Sequence, residues 1–161
     1  IVSRWERSAR PVLRRSNTIF IEGAGAASFV SVFYGILDQQ ERVLSYVNAG
    51  HNPPLLLHPD GTMEELFPTG PVVGLLDDPG YAEGQILLRP GDLLVMYTDG
   101  VTEAIDSSST MFSEERLRAV IRESAGLPAA GIVQAVREAV TAFCGEAPQF
   151  DDITILVLKV L

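Results

Sequence analysis

An α+β fold is the architecture this sequence predicts, and three observations predict it. Between residues 28 and 98, runs rich in Val, Phe, Tyr and Ile follow one another across short turns, which makes consecutive strands antiparallel. From residue 113 the apolar spacing changes to that of a helix. A last apolar run, "ITILVLKV", returns to strand character.

The elements follow in order. Residues 1–22 read as helix, with Pro11 interrupting the pattern so that two pieces are allowed. "EGAGAA", 22–27, is a loop, because glycine and alanine present no fixed face. "SFVSVFYGILD", 28–38, and "RVLSYVNAG", 42–50, form a hairpin around "DQQE". "HNPP" ends that ladder, since proline cannot donate to it. "LLLH" and "MEELF" flank "PDGT", a second hairpin with Asp60-Gly61 in its turn. Residues 68–80, with three prolines and three glycines, form a long loop. "EGQILL" and "DLLVMYT" flank "RPGD" and read as a third hairpin.

Two helices come next. In "SEERLRAVIRES", 113–124, Leu117, Val120 and Ile121 share a face, Ser113 is placed to cap, and Glu114 and Glu115 suit the positive helix end. "PAAGIVQAVREAVTAFCG", 128–145, runs from Pro128 in the first turn to Gly145 at the stop. The closing strand is apolar on both faces and so is expected to be central and covered on both sides.

Length and composition bound the function. The 161 residues suffice for one domain with a core, and 47% of them are apolar. A net charge of −9 argues against a general nucleic-acid binder. Arg4, Arg7, Arg10, Arg14 and Arg15 gather near the start and read as a solvated helix face. Cys144 is the single cysteine, so no internal disulfide forms, and it reads as a packed thiol. No apolar run is long enough to cross a membrane, and the N-terminus lacks a signal-peptide core, which makes the expected compartment the cytoplasm.

Two acidic sites carry the chemistry. Asp99 follows a buried strand and precedes Gly100, which permits a sharp turn or a close approach. Asp151 and Asp152 directly precede the last strand. Taken singly, each reads as a turn or a strand cap. If the two strands are antiparallel neighbours, however, Asp99 and Asp151 meet at one sheet edge. Clustered carboxylates repel unless a cation neutralises them, and oxygen ligands without Cys or His favour Mg²⁺ or Mn²⁺. His51 reads as part of a turn, His58 as exposed at a turn, and Glu103 as a solvated acid or an outer partner of Asp99.

In sequence order, "FVSVFYGILD", "LSYVNAGHNPPLLL", "LRPGDLLVMYTDGVTEA", "FSEERL" and "FDDITILVLKV" resemble the SpoIIE/RsbU-type branch of the PPM (protein phosphatase 2C-like) metal-dependent serine/threonine phosphatases. The resemblance runs from about Val12 onward. It implies an α-β-β-α sandwich of two antiparallel sheets flanked by helices. It also implies two Mn²⁺ or Mg²⁺ ions and a metal-activated water that attacks the phosphorus of a phosphoserine or phosphothreonine. The implied substrate is a phosphorylated STAS-type anti-anti-sigma protein in sigma-factor regulation. Asp99 of "YTDG" and Asp151 of "DDIT" match metal-binding aspartates of the family, with Gly100 and Asp152 as support. No catalytic side chain is implied beyond the metal ligands.

The family's first metal motif, Gly-Asp-Val-x-Gly-His-Gly, is not found; "EGAGAASF" lacks the aspartate. Residues 1–161 are therefore expected to be the C-terminal portion of one PPM-type phosphatase domain. On its own this portion is expected to hold one ion weakly, with uncovered sheet surface that invites a homodimer. An upstream sensor domain fits the same reading. The alternative is a truncated or degenerate, non-catalytic interaction module.

Overall fold

The computed structural model describes residues 8–24 and 28–161. Arg4, Arg7 and the glycine-alanine segment 25–27 lie outside the described residues. Two compact units are built from interleaved stretches. One takes the residues up to Pro53 together with Leu66–Arg89, and the other takes Pro54–Glu65 with Pro90–Leu161. Each carries its own antiparallel sheet, in agreement with the α+β expectation.

In the first unit, helix α1 (Ala9–Ala24) precedes strands β1 (Val32–Asp38) and β2 (Val43–Ala49). Pro11 does not break α1. It sits in the first turn, where its missing N–H has no helical acceptor to lose. Ala9, Val12 and Leu13, one helical face, are buried together with Val47, Ala49, Val73 and Tyr81. Arg10, Arg14 and Arg15 are exposed, as a solvated face requires. β1 and β2 pair from Val32↔Ala49 to Asp38↔Val43, the expected hairpin. The 68–80 loop is fastened by Asn17, which is fully buried on α1. Its Nδ2 donates to the Leu76 carbonyl at 2.8 Å and its Oδ1 accepts from the Gly74 amide at 2.8 Å.

The third hairpin expected at "RPGD" does not form. β5 (Gly84–Leu87) pairs with β2 in the three-stranded sheet, whereas β6 (Leu93–Tyr97) belongs to the other sheet. The Leu88 amide still bonds to the Arg42 carbonyl, but Gly91, at φ +91°, already donates to the Val160 carbonyl. Pro90 and Gly91 thus hand the chain from one sheet to the other. The burial patterns agree: β5 alternates, while β6 is buried along nearly its whole length.

The second unit has strand order β4-β3-β6-β7, with β3 at Leu55–Leu57, β4 at Met63–Glu65 and β7 at Ile155–Lys159. The β3–β4 hairpin turns through Gly61 at φ +86°, as Asp60-Gly61 predicts. Leu55, Leu57, Leu93, Val95 and Tyr97 project from one sheet face. Helices α3 (Ser113–Ser124) and α4 (Ala129–Cys144) cover that face with Leu117, Ile121, Ile132, Val136 and Val140. Burying a side chain of this size stabilises by about 1.5–3 kcal/mol, so this layer is the unit's main source of stability. Arg118 ties α3 to β4 by pairing with Glu65 at 2.6 Å and Glu114 at 3.1 Å.

Two further expectations are corrected. Among the described residues β7 is an edge strand rather than a central one. Ile155 and Val157 pack on the core, but Leu156 on the opposite face is 52% exposed. Ser113 is not the cap of α3. Phe112 holds that position, and Ser113 is the first helical residue, at φ +72°.

Candidate functional site

The candidate site grows out of one strand pair. β6 and β7 are antiparallel neighbours, with Tyr97 opposite Ile155. The end of β6 therefore lies beside the start of β7, the arrangement on which the pairing of Asp99 with Asp151 depends. The next rung is Thr98 with Thr154: the Thr98 amide donates to the Thr154 carbonyl at 3.1 Å. Beyond it the chain turns into a one-turn helix, α2 (Asp99–Thr102). Asp99-Gly100 thus opens a helix and is not a hairpin turn.

Backbone contact between the two acidic segments is close. A Cβ built on Gly100 would lie 2.5 Å from the Asp152 carbonyl oxygen and 3.3 Å from the Asp151 carbonyl carbon. Only glycine admits that approach. Asp99 is exposed, and its Oδ1 accepts from the Gly100 amide at 3.0 Å. Asp151 is also exposed, with its Oδ1 accepting from the Asp152 amide at 2.7 Å. These short local bonds orient each carboxylate on its own backbone. Glu103 is exposed one turn past Asp99, and its amide donates to the Asp99 carbonyl at 2.8 Å.

Behind this edge lies a cavity of about 220 Å³, lined among others by Gly100, Glu103, Val140, Cys144, Phe150 and Asp151. Cys144 is half-buried against the core, the packed thiol expected of it.

The donors fit a hard divalent cation in kind, because carboxylate oxygens are what Mg²⁺ and Mn²⁺ take. They do not fit in number. Among the described residues no group of three or more His, Cys, Asp or Glu side chains is placed to hold a metal ion. Asp99 and Asp151 are two carboxylates at neighbouring strand ends, fewer than a two-metal centre needs.

Both histidines have partners. His51 donates its amide to the Asn48 side chain at 2.8 Å, and its Nδ1 lies 3.3 Å from the Ser31 hydroxyl. His58 is not the exposed turn residue expected. Its ring is 12% exposed, with Nδ1 2.8 Å from the fully buried Asp92 and Nε2 3.2 Å from Glu64. The hydrogen bond to Asp92 leads in raising its pKa above the ordinary 6.5, against the opposing effect of burial. Sequence reasoning also passed over Thr98. Its hydroxyl donates to the Asp152 carbonyl at 2.8 Å and accepts from the Thr154 amide at 2.9 Å. A β-branched hydroxyl residue just before "DG" is the only local sign of it.

The two antiparallel sheets with their flanking helices define a PP2C-like fold. The chain belongs to the SpoIIE family: the family described as Stage II sporulation protein E (SpoIIE) matches residues 5–161. Among curated proteins it is 31% identical over 140 residues to Protein IcfG of Synechocystis sp., covering 87% of this chain and 22% of that protein. It is 26% identical over 149 residues to the phosphoserine phosphatase RsbU of Bacillus subtilis, covering 92% of this chain and 44% of that protein. The chain thus spans less than half the length of these relatives. Among solved structures, the SiaA-PP2C domain of Pseudomonas aeruginosa superposes with a TM-score of 0.83 at 23% identity, over 95% of this chain and 61% of that one. The catalytic domain of the serine threonine protein phosphatase PstP, in complex with two manganese ions, gives 0.66 at 14% identity, over 91% and 67%. Both agree with this chain in fold.

Proposed function

We propose that this chain is the C-terminal portion of a single phosphatase domain that removes phosphate from phosphoserine or phosphothreonine in a protein substrate. The observation that carries the reading is the pairing of β6 with β7, which brings the segments bearing Asp99 and Asp151 together at one sheet edge. Asp99 and Asp151 would hold Mn²⁺ or Mg²⁺, with Gly100 and Asp152 supporting them and further donors completing the shell. When bound, the metal supplies neutralisation of the phosphate charge and activation of water as nucleophile. The chain's own residues present two oriented carboxylates at a solvent-facing edge, open to a phosphorylated side chain on another protein. No side-chain nucleophile is needed, in keeping with a packed Cys144.

The substrate class proposed is a phosphorylated STAS-type anti-anti-sigma protein in a bacterial sigma-factor or stress pathway. Support comes from family membership and from RsbU and RsbP, relatives named as phosphoserine phosphatases. The compartment proposed is the cytoplasm, with a sensor domain upstream and a homodimer as the working arrangement. The deciding experiment is Mn²⁺-dependent hydrolysis of an aryl phosphate and of a phosphorylated STAS protein by the full-length protein. Asp99→Asn should abolish both, and full activity in that variant would remove the assigned role.

A second reading, a non-catalytic interaction module, is favoured by one observation: the described residues assemble no metal-capable group of three. It expects partner binding without metal and no turnover in the full-length protein.

A further inference from the structure

We infer that Thr98 is the positioning residue that fixes the Asp151–Asp152 segment against Asp99. The inference rests on reading Asp99 and Asp151 as metal ligands.

In an antiparallel pair joined by hydrogen bonds, opposed residues exchange both N–H···O=C bonds. Thr98 and Thr154 make only one of them, from the Thr98 amide to the Thr154 carbonyl. The Thr98 carbonyl is taken instead by the Val101 amide, the bond that starts α2. Without a substitute acceptor the Thr154 amide would lose its ladder partner at the point where strand becomes helix. The Thr98 hydroxyl is that substitute, accepting from the Thr154 amide at 2.9 Å. Its own proton goes to the Asp152 carbonyl at 2.8 Å.

One side chain therefore does two things. It frees the Thr98 carbonyl, so that β6 can turn into the helix that begins with Asp99. It also holds the backbone between Asp151 and the start of β7 from two directions. Thr98 occupies the N-cap position of α2 yet makes no side-chain capping bond, because its hydroxyl is committed across the sheet. A serine keeps both bonds; valine, nearly the same shape, keeps neither.

The test uses the full-length protein and its Thr98→Ser, Thr98→Val and Thr98→Ala variants, with Asp99→Asn as control. Two quantities are measured: amide hydrogen exchange over residues 149–155 without metal, and Mn²⁺ affinity by calorimetry. Thermal melts confirm that each variant is folded. Loss of a partner that orients a metal ligand weakens affinity by about 10–100-fold. That loss is expected for Val and Ala together with faster exchange at Thr154, while Ser behaves as wild type. Wild-type exchange and affinity in Val and Ala would overturn the inference, as would a Ser variant that behaves like Val. If wild-type protein binds no Mn²⁺, it is the metal reading of Asp99 and Asp151 that fails. The clamp is then judged by exchange alone, where faster Thr154 exchange in Val and Ala but not Ser upholds it and unchanged exchange overturns it.

Discussion

Gly100 and Asp152 touch backbone to backbone: any side chain on residue 100 would begin 2.5 Å from the Asp152 carbonyl oxygen. Gly100 is itself buried, so no space is available for relief by rotation into solvent. Gly100→Ala should therefore destabilise the protein by about 1–3 kcal/mol, the usual range for forcing a methyl into packed structure. It should also push the 151–152 backbone away from α2. Denaturant unfolding measures the first effect and Mn²⁺ titration the second; a variant as stable as wild type would mean that the contact relaxes freely.

Asp151→Asn is expected to separate binding from folding. The carboxylate is exposed, and an asparagine oxygen can still accept the Asp152 amide. Stability should change by less than about 0.5 kcal/mol, as at an ordinary surface position. Mn²⁺-dependent phosphatase activity of the full-length protein should fall to background. Retained activity would move the ligand role to another residue.

His58 predicts a pH dependence. Its folded pKa lies above its ordinary 6.5, with the Asp92 hydrogen bond the leading cause. A group raised on folding binds its proton more tightly in the native state. Its contribution is thus fully present below about pH 6.5 and is lost as the pH rises through the raised value. His58→Gln should lower the melting temperature more at pH 6 than at pH 8.5. A loss that is equal at both would show that the proton is not involved.

Tyr81 offers a stabilising change. Its ring is packed in the first unit's core, and its hydroxyl has no hydrogen-bond partner among the described residues. A buried hydroxyl without a partner costs about 1–3 kcal/mol. Tyr81→Phe should accordingly raise stability by about 1 kcal/mol, read as a shift in the denaturation midpoint at constant slope. A drop of similar size would reveal a bond that the hydroxyl makes in solution.

Some of this was legible in the sequence and some was not, for physical reasons. α3 and α4 were readable because Leu117, Ile121, Ile132 and Val136 fall on helical faces that are in fact buried. The first two hairpins were readable because turn chemistry and alternation are local signals. The sequence does not show that β5 and β6 part company, because Pro90-Gly91 looks the same whether a turn returns the chain to its own sheet or delivers it to another; only the partners, β2 and β7, decide. The strand-end acids could be named from sequence, but Thr98 could not, since its hydroxyl bonds 54 residues away. His58 was missed likewise: Asp92 lies 34 residues further on, and nothing near either residue announces that one carboxylate is fully buried.

The interleaving of the two units has a consequence for how the protein is made. The chain passes between them after Pro53, after Glu65 and after Arg89, so neither unit is one continuous segment. On the ribosome, β3 and β4 must wait about a hundred residues for β7 before their sheet is complete. Closing such distant pairings is slow. The nascent chain thus carries an unfinished apolar hairpin until β7 is made, and no single proteolytic cut between residues 54 and 89 releases either unit intact.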